Sequence, residues 1–505
     1  MKDSRKSKAQ KNIVFSLGSQ MITLVCGLIV PQLLLTTYGS ETFGAVSSIT
    51  QFLSYIALLE GGIGGVARAV LYKPLAEQDI EKISAVLYEI KRFFRVIACI
   101  FAVYVLVLAF GYKSISGLES LDWLSSFALV LAISFSTFGE YFIGISNEIL
   151  IQASQRSYIK HGIAILVTIL NTIMVIVLIH AGYGLVFVKF VSSCVFFLRP
   201  ILHWLYIKKN YKLVTPVNTK TEYLEQKWSG LGQHIAYFLH SNADIVILTL
   251  CSNLKSVAIY SVYNMVVSNM QKLTISFTSG MEALFGDMLA KEEDAELNKA
   301  FNHYETIISL ITMTLFSITA VLLVPFIQLY TVQINDAEYF EPVFAALLTL
   351  AAVLYCIRLP YHALVIAAGH FRQTNKVAYL EVILNVSLSV FLVRDWGLAG
   401  VAFGTVVATA VRLVYYVVYL SQNILYRNVS LFLKRFMVNA VSFLLIQALG
   451  EIIVSYNPIE TYLQWFLAAV VVGIATLIVI FSINFVFYYR EFQPVIRKFL
   501  KKLVD

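Results

Sequence analysis

Ionisable side chains interrupt the long apolar runs of this sequence, and they are its candidates for chemistry. The basic residues inside the runs are Arg68, Lys189, Arg199, Lys272, Arg358 and Arg412. The acidic residues at comparable positions are Glu60, Glu140, Asp244 and Glu381. A guanidinium binds a phosphate through two parallel hydrogen bonds, and a carboxylate in apolar surroundings can carry a proton or a cation. The two sets therefore indicate anion binding and ion coupling.

The basic residues differ in depth along their runs. Lys272 and Arg358 lie far from either end, and an ionisable group at mid-bilayer costs at least about 2.5–3.5 kcal/mol, so a functional role is favoured for both. Arg68, Arg199 and Arg412 lie toward the inner ends of their runs. For these three, snorkelling of the side chain to the lipid head groups is an equal alternative.

The acidic candidates for ion coupling are Glu60, Asp244 and Glu381. Each could carry a coupled proton or sodium ion. A structural ion pair with one of the buried basic residues explains each of them at least as well. Both interpretations stay open at the level of sequence.

Composition places these residues in a membrane. The chain has 505 residues, of which 59% are hydrophobic and only 13% are charged, whereas soluble domains average about 25% charged residues. Fourteen runs are long enough to span a bilayer, and none alternates with the two-residue period of a barrel strand. The fold class is therefore an all-α membrane protein of about 14 transmembrane helices. The basic residues between runs lie in short segments, so the net charge of +8 does not indicate nucleic-acid binding.

The distribution of Lys and Arg predicts the orientation. The segments predicted to face the cytoplasm hold most of the 38 Lys and Arg residues, whereas the outer segments hold only Lys113, Lys255 and Arg394. By the positive-inside rule both termini are cytoplasmic. The outer loops are short, so no outer domain is available for an enzyme. No P-loop and no metal-binding histidine spacing occurs in the sequence, so no cofactor and no metal are expected.

Similar stretches recur at a separation of about 213 residues. Asn171 matches Asn385 within one gap, and Arg199 matches Arg412. The chain is therefore predicted to contain two parallel six-helix repeats, with the substrate site between them. The predicted domains are an N-terminal bundle at 1–206, a cytoplasmic linker at 207–228, a C-terminal bundle at 229–420, and helices 13 and 14 with a basic cytoplasmic tail at 421–505.

These features resemble the polysaccharide flippases of the MOP superfamily, which are relatives of the MATE exporters. The resemblance is carried by "YGSETFGAVSSITQF" at 38–52, "VAIYSVYNMV" at 257–266, and "HFRQTNKVAYLEVILNVSLSV" followed by "WGLAGVAFGTVVATAVR". It covers almost the whole chain. It implies a protein of the bacterial cell membrane that moves an undecaprenyl-pyrophosphate-linked oligosaccharide from the inner to the outer leaflet by alternating access.

The resemblance also implies roles for the candidate residues. A pyrophosphate head group needs cations, so Lys272 and Arg358 are predicted head-group ligands, with Arg68, Arg199 and Arg412 at the entry side. The expected partners are the lipid-linked oligosaccharide, membrane lipids, and glycosyltransferases and a polymerase of the same pathway. The alternative is a MATE-like, ion-coupled exporter of small amphipathic molecules. A membrane enzyme is disfavoured because it would need a large outer loop.

The stretch "LLEGGIGGVAR" at 58–68 places four glycines inside the second predicted span, 43–71. The glycines weaken the helix, so a bend is expected there. The equivalent stretch near 274–282, in the span predicted at 256–288, keeps none of them in register, so any hinge is expected in the first half alone. Two charged stretches, 77–93 and 291–305, are predicted to be amphipathic helices on the inner surface.

Overall fold

The N-terminal part of the chain is a series of helices joined by short turns. The computed structural model describes residues 5–61, 63–214, 231–278, 280–456 and 458–504, and no β-strand occurs within them. Its first ten helices are α1 Arg5–Tyr38, α2 Ser40–Ser54, α3 Ile63–Glu77, α4 Ile80–Ser116, α5 Trp123–Gly139, α6 Ile145–Ala153, α7 Ser157–His180, α8 Leu185–Phe196, α9 Leu198–Asn210 and α10 Leu231–Cys251. A 3₁₀ turn, Tyr55–Glu60, follows α2, and a π turn, Glu140–Gly144, joins α5 to α6.

The remaining helices are longer on average. They are α11 Leu254–Ser276, α12 Met281–Ala290, α13 Asp294–Tyr330, α14 Pro342–Ala367, α15 Phe371–Asn423, α16 Ser430–Tyr456 and α17 Tyr462–Val504. The chain divides into two compact units, Met1–Ser261 and Val262–Asp505. Residues 215–228 of the predicted linker and the side chains of the tail from 488 onward lie outside the described part, so the domain boundaries stay a prediction.

Twelve helical stretches among the described residues are long and apolar enough to cross a membrane, judged by length and composition. The helix α15 counts once among them, although it is two helices joined at Gly397, whose backbone (φ 53, ψ −129) is not helical. The helix α11 has 23 residues and is less apolar than the twelve. These two facts account for the fourteen predicted spans. The fold class is confirmed: the chain is an all-α, multi-pass membrane protein.

The second predicted span is broken where its glycines predict. The helix α2 ends at Ser54, the 3₁₀ turn follows, and Gly61 adopts a left-handed backbone with φ 55 before α3 begins at Ile63. Residues with a Cβ avoid this region of φ, whereas glycine enters it at little cost. Gly61 therefore ends the 3₁₀ turn and separates it from α3.

A helix break occurs in the second half as well, although the sequence there has no glycines matching those of the first half. The hinge itself stays a prediction. The helix α11 ends at Ser276, and α12 begins at Met281 directly after Gly280, which has φ 90. Gly280 does not match any of the four glycines of the first half in register. One glycine is nevertheless sufficient, because a single residue with positive φ interrupts a helix.

The two charged stretches are not separate helices. Residues 80–93 form the first turns of α4, and residues 294–305 form the first turns of α13, both of which are continuous helices of 37 residues. Asp79 caps α4, since its Oδ1 accepts a hydrogen bond from the backbone N–H of Lys82 at 3.0 Å. The amphipathic pattern predicts helix correctly, but no residue that stops a helix separates each charged stretch from the apolar run that follows, so the two form one helix.

Equivalent hydrogen bonds in the two halves support the predicted repeat. Asn171 accepts a bond from the hydroxyl of Ser192 at 2.7 Å, and Asn385 donates one to the hydroxyl of Thr405 at 2.8 Å. Both pairs join the two helices that precede and follow the matched glycines, 184 and 397. The duplicated unit therefore keeps the same polar contact at the same place in each half.

Candidate functional site

Glu381 lies between two arginines in the interior of the C-terminal unit. The residues Glu381, Arg358 and Arg412 are 0%, 4% and 2% exposed. Arg358 Nη1 lies 2.5 Å from Glu381 Oε1, and Arg412 Nη1 donates to Oε2. The helix α14 supplies Arg358, and the two arms of α15 supply Glu381 and Arg412. These three residues are called the Glu381 cluster.

Aromatic side chains complete the surroundings of the Glu381 cluster. Tyr416 accepts hydrogen bonds from Arg412 Nε at 3.2 Å and from Nη2 at 2.9 Å. The guanidinium of Arg358 lies 4.9 Å from the ring centre of Tyr355. The ring of His362 is nearly parallel to that of Tyr416, at 6.2 Å between centres. One carboxylate faces two guanidinium groups, so the three residues together carry a formal charge of +1 in a desolvated site.

The sequence placed all three members of the Glu381 cluster among its candidates but did not pair them. For Glu381 the structure shows the ion-pair geometry that had been left open as the alternative to ion coupling. Arg412 has an equivalent in the other half: Arg199 Nη2 donates to Thr168 Oγ1 at 3.0 Å. By the match of Asn171 to Asn385, the position of Glu381 corresponds to Val167, so the two matched arginines have partners at different positions of the repeat.

A second buried carboxylate with two arginines, the Glu305 cluster, was missed by sequence reasoning. Glu305 is 3% exposed. Its Oε2 lies 2.9 Å from Arg427 Nη1 and 2.6 Å from Arg435 Nη1, and its Oε1 accepts a hydrogen bond from Tyr361. Arg427 also donates to Asn302 Oδ1 and to the Tyr361 hydroxyl. This cluster joins α13, α14, α16 and the turn before α16.

A signal for Glu305 was present in the sequence. Glu305 continues an apolar stripe of α13 at helical spacing, formed by Leu297, Phe301 and Ile308, all of them buried. A carboxylate on the buried stripe of a helix requires a partner, whereas one on the polar face does not. Its two arginines were interpreted as cytoplasmic loop charges, because both follow the end of a predicted span.

The two clusters share the helix α14. Arg358 belongs to the Glu381 cluster and Tyr361 to the Glu305 cluster, and Pro360 lies between them. Residues three positions apart lie one turn apart on a helix, and proline removes a backbone hydrogen bond within it. A change in the direction or rotation of α14 at this point would therefore act on both clusters.

In the N-terminal unit the candidates form different contacts. Glu60, at the end of the 3₁₀ turn, accepts a hydrogen bond from the hydroxyl of Tyr141 in the π turn. Arg68 Nη1 donates to Gln152 Oε1 at 2.8 Å, and the Gln152 amide donates to Glu148 at 2.8 Å. Glu60 and Arg68, close in sequence, thus have separate partners.

Lys160 extends the chain of contacts from Arg68 through Gln152 to Glu148, because its Nζ lies 2.5 Å from Glu148 Oε1. Asp244 is 7% exposed and accepts a hydrogen bond from Tyr260 at 2.9 Å.

Lys272 lies near the end of its helix, contrary to the sequence prediction, because the predicted span is broken and α11 ends at Ser276, four residues after it. Lys272 is exposed, and no hydrogen bond or ion pair of the described residues joins it to Arg358. Their predicted common role as head-group ligands stays a prediction.

The fold has known counterparts among solved structures. No family model and no curated protein matches the chain. The structure titled "Lipid II flippase MurJ, inward closed conformation" matches with a TM-score of 0.69 and 16% identity, over 95% of this chain and 99% of the other.

Two multidrug transporters match over a smaller part of the chain. An inward-facing MATE family transporter of the MOP superfamily gives a TM-score of 0.59 and 17% identity, over 81% of this chain and 98% of the other. The MATE multidrug transporter DinF-BH, solved as a complex, gives 0.57 and 14%, over 84% and 99%. At these identities the likeness concerns the fold: this chain is folded like the flippase and transporters of the MOP superfamily.

Proposed function

We propose that this protein is a flippase that moves an undecaprenyl-pyrophosphate-linked oligosaccharide from the inner to the outer leaflet of the bacterial cell membrane. It works by alternating access and contributes to cell-surface polysaccharide synthesis. Its termini face the cytoplasm, as the distribution of Lys and Arg indicates. It acts beside the glycosyltransferases that build the oligosaccharide and the polymerase that consumes it. It has no enzymatic activity of its own.

The observation that carries this proposal is the extent of the match to the lipid II flippase. That structure corresponds to 95% of this chain, whereas the MATE transporters correspond to 81–84% of it. About a tenth of the chain therefore has a counterpart in the flippase and none in those exporters. By their titles, the flippase moves a lipid, whereas the MATE proteins are multidrug transporters. The wider match therefore favours a substrate with a lipid anchor.

The Glu381 cluster supplies charge of the sign that a pyrophosphate needs. A guanidinium has five N–H donors, and in the described structure Arg358 donates one of them to Glu381. The remaining donors and the positive charge of the cluster can serve phosphate oxygens when a rearrangement of the helices exposes the cluster. In this proposal Arg358 and Lys272 bind the head group, and Arg68, Arg199 and Arg412 act on its way in.

The alternative is a MATE-like exporter of small amphipathic molecules, driven by a proton or sodium gradient. The same acidic residues, Glu60, Asp244 and Glu381, would then carry the coupling ion. The excess of buried arginine in the C-terminal unit argues against cationic cargo, because a like charge raises the energy of the bound cation. Ion coupling of the flippase itself would use these same acids.

The test is translocation in proteoliposomes. The purified protein should speed the transfer of a fluorescent lipid-linked oligosaccharide between leaflets, relative to empty vesicles. Extrusion of a small amphipathic dye without any transfer of the lipid-linked oligosaccharide would refute the flippase proposal and favour the MATE-like exporter. Imposed proton and sodium gradients should change the rate if an acid couples transport, and an unchanged rate under both would remove coupling.

The head-group residues have matched variants. Lys272→Ala is expected to lower the transfer rate by about tenfold, which corresponds to one charge-assisted contact of about 1.4 kcal/mol. Lys255→Ala removes the same charge from the other end of the same helix and should leave the rate within about twofold of the parent's. Equal rates for both variants would remove Lys272 from the site without refuting the flippase activity.

A further inference from the structure

A cationic cavity of about 420 Å³ lies in the N-terminal unit, between α4, the π turn, α6 and α9. Lys91 and Arg95 line it from α4, one helical turn apart. Phe142 of the π turn and Phe197 and Trp204 around α9 supply its aromatic walls. No acidic side chain is among the lining residues that the structure describes. The size is typical of a ligand pocket, and the charge suits an anion.

The π turn and α9 shape this cavity. A Cβ on Gly139 would collide with the ring of Phe197, and one on Gly144 would lie 3.1 Å from Pro200 Cβ. These two glycines let Phe197 and the start of α9 pack closely against the end of α5 and the π turn. A π turn shifts the following side chains relative to an α-helix, and here it brings Phe142 under Arg95, whose guanidinium lies 5.6 Å from the ring centre.

A second, apolar cavity of about 390 Å³ lies further along α4, between α4 and α5. Ala102 and Leu106 line it from α4, and Phe138 lines it from α5. Leu106 follows Arg95 by eleven residues, or roughly 16 Å along a helix axis. The rings of Phe138 and Phe142 stack at 5.6 Å between centres, so they connect the wall of the apolar cavity to that of the cationic one.

The two cavities together fit an amphiphile with an anionic head. The geometry points to a binding site for an anionic phospholipid, with its phosphate between Lys91 and Arg95 and an acyl chain against Ala102 and Leu106. Trp204 lies at the head-group end, where its indole suits the membrane interface, and Lys208 lies 5.0 Å from its ring centre. Arg95 and the phosphate can form paired hydrogen bonds.

Asn147 adds a polar contact within the cationic cavity. It is 1% exposed, and its Nδ2 donates to the carbonyl oxygen of Ile143 at 2.7 Å. Its Oδ1 accepts no hydrogen bond from the described residues. A buried amide oxygen without a donor is unfavourable, and the glycerol hydroxyls of phosphatidylglycerol are donors of the required kind.

The test measures lipid retention by native mass spectrometry of the purified, delipidated full-length protein. Phosphatidylglycerol and phosphatidylcholine with identical acyl chains are added separately. The parent should retain phosphatidylglycerol at concentrations at least about fivefold lower than phosphatidylcholine. Phosphatidylglycerol has a net negative charge, whereas the choline group of phosphatidylcholine neutralises its phosphate. The double variant Lys91→Gln/Arg95→Gln should lose this preference.

Two further variants separate the site from a general charge effect. Arg372→Gln/Lys376→Gln removes a pair of exposed basic residues with the same spacing at the start of α15 and should keep the preference. Ala102→Trp fills the apolar cavity and should weaken retention of both lipids. Only variants whose thermal unfolding midpoint equals that of the parent are compared. The readout is lipid binding, so the test does not depend on translocation activity.

Three results would overturn the inference. The first is equal retention of the two lipids by the parent. The second is an unchanged preference in Lys91→Gln/Arg95→Gln. The third is displacement of phosphatidylglycerol by farnesyl pyrophosphate at a tenfold lower concentration, which would assign the site to an isoprenoid pyrophosphate instead of a bilayer phospholipid.

Discussion

Replacing Glu381 by glutamine is expected to destabilise the protein by about 3–5 kcal/mol. The carboxylate is fully buried and pairs with both Arg358 and Arg412, which are themselves almost fully buried. Glutamine offers one acceptor oxygen to two guanidinium groups and turns its NH₂ toward one of them. Removing one member of a buried ion pair costs about this much, because the remaining charge stays desolvated.

The order of variants gives a sharper test than a single value. Arg358→Met leaves Glu381 paired with Arg412, so only one charge-assisted hydrogen bond is lost, at about 1.5–3 kcal/mol. The double variant Glu381→Gln/Arg358→Met removes one positive charge along with the negative one. It should therefore be more stable than Glu381→Gln alone, which is a non-additive result.

The assay is reversible unfolding in mixed micelles with increasing sodium dodecyl sulfate, followed by tryptophan fluorescence. Glu293→Gln is the control, because Glu293 is exposed just before α13 and should unfold like the parent. Additive effects of Glu381→Gln and Arg358→Met would refute the idea that the two share one buried charge balance. A midpoint for Glu381→Gln equal to that of the control would refute the burial of the cluster.

Three further outcomes follow from local geometry. Gly44→Ala should destabilise the protein by about 1–3 kcal/mol in the same unfolding assay, because a Cβ there would collide with the carbonyl oxygen of Leu254; unfolding at the parent's midpoint would contradict this packing. Gly280→Ala should cost about 1–2 kcal/mol, since alanine disfavours φ 90, whereas a stabilised variant would mean that the break is not fixed. The hydrogen bond from the Lys82 backbone N–H, and the Lys82 side chain, hold the pKa of the Asp79 carboxyl below its usual 3.8. The stabilisation by the Asp79 carboxylate is therefore complete above pH 3.8 and disappears as the pH falls through the lowered pKa. The difference in unfolding midpoint between Asp79→Ala and the parent should be constant from pH 5 to 7 and shrink below pH 3.8. A difference that grows on acidification would contradict the lowered pKa.

The type of the elements and the places of the apolar spans could be predicted from hydropathy, because a membrane-spanning helix must be largely apolar. Ends were harder to place. The apolar run of α13 was predicted to start at 304, but the helix begins at Asp294, since nothing between them stops a helix. The break at Gly61 could be predicted from glycine density, whereas the break before α12 coincides with a single glycine, Gly280, whose positive φ the sequence does not specify.

The candidate site could be predicted as a set of residue types but not as a set of contacts. Glu381, Arg358 and Arg412 attract attention because each is ionisable within an apolar run. Their meeting depends on how α14 packs against both arms of α15, which hydropathy does not encode. Glu305 was not predicted as a site residue because its charged neighbours are typical of a surface helix. It lies near the polar end of α13, but its side chain is buried within the protein.

The unbalanced charge of the Glu381 cluster has an electrical consequence. A charge that moves across the whole membrane potential exchanges about 2.3 kcal/mol with each 100 mV. The cluster is held on α14 and α15, so it travels with those helices during any rearrangement. A displacement along the membrane normal would make the rate voltage-dependent and would produce a small transient current in the absence of net transport. Neutralising Arg358 should abolish that current.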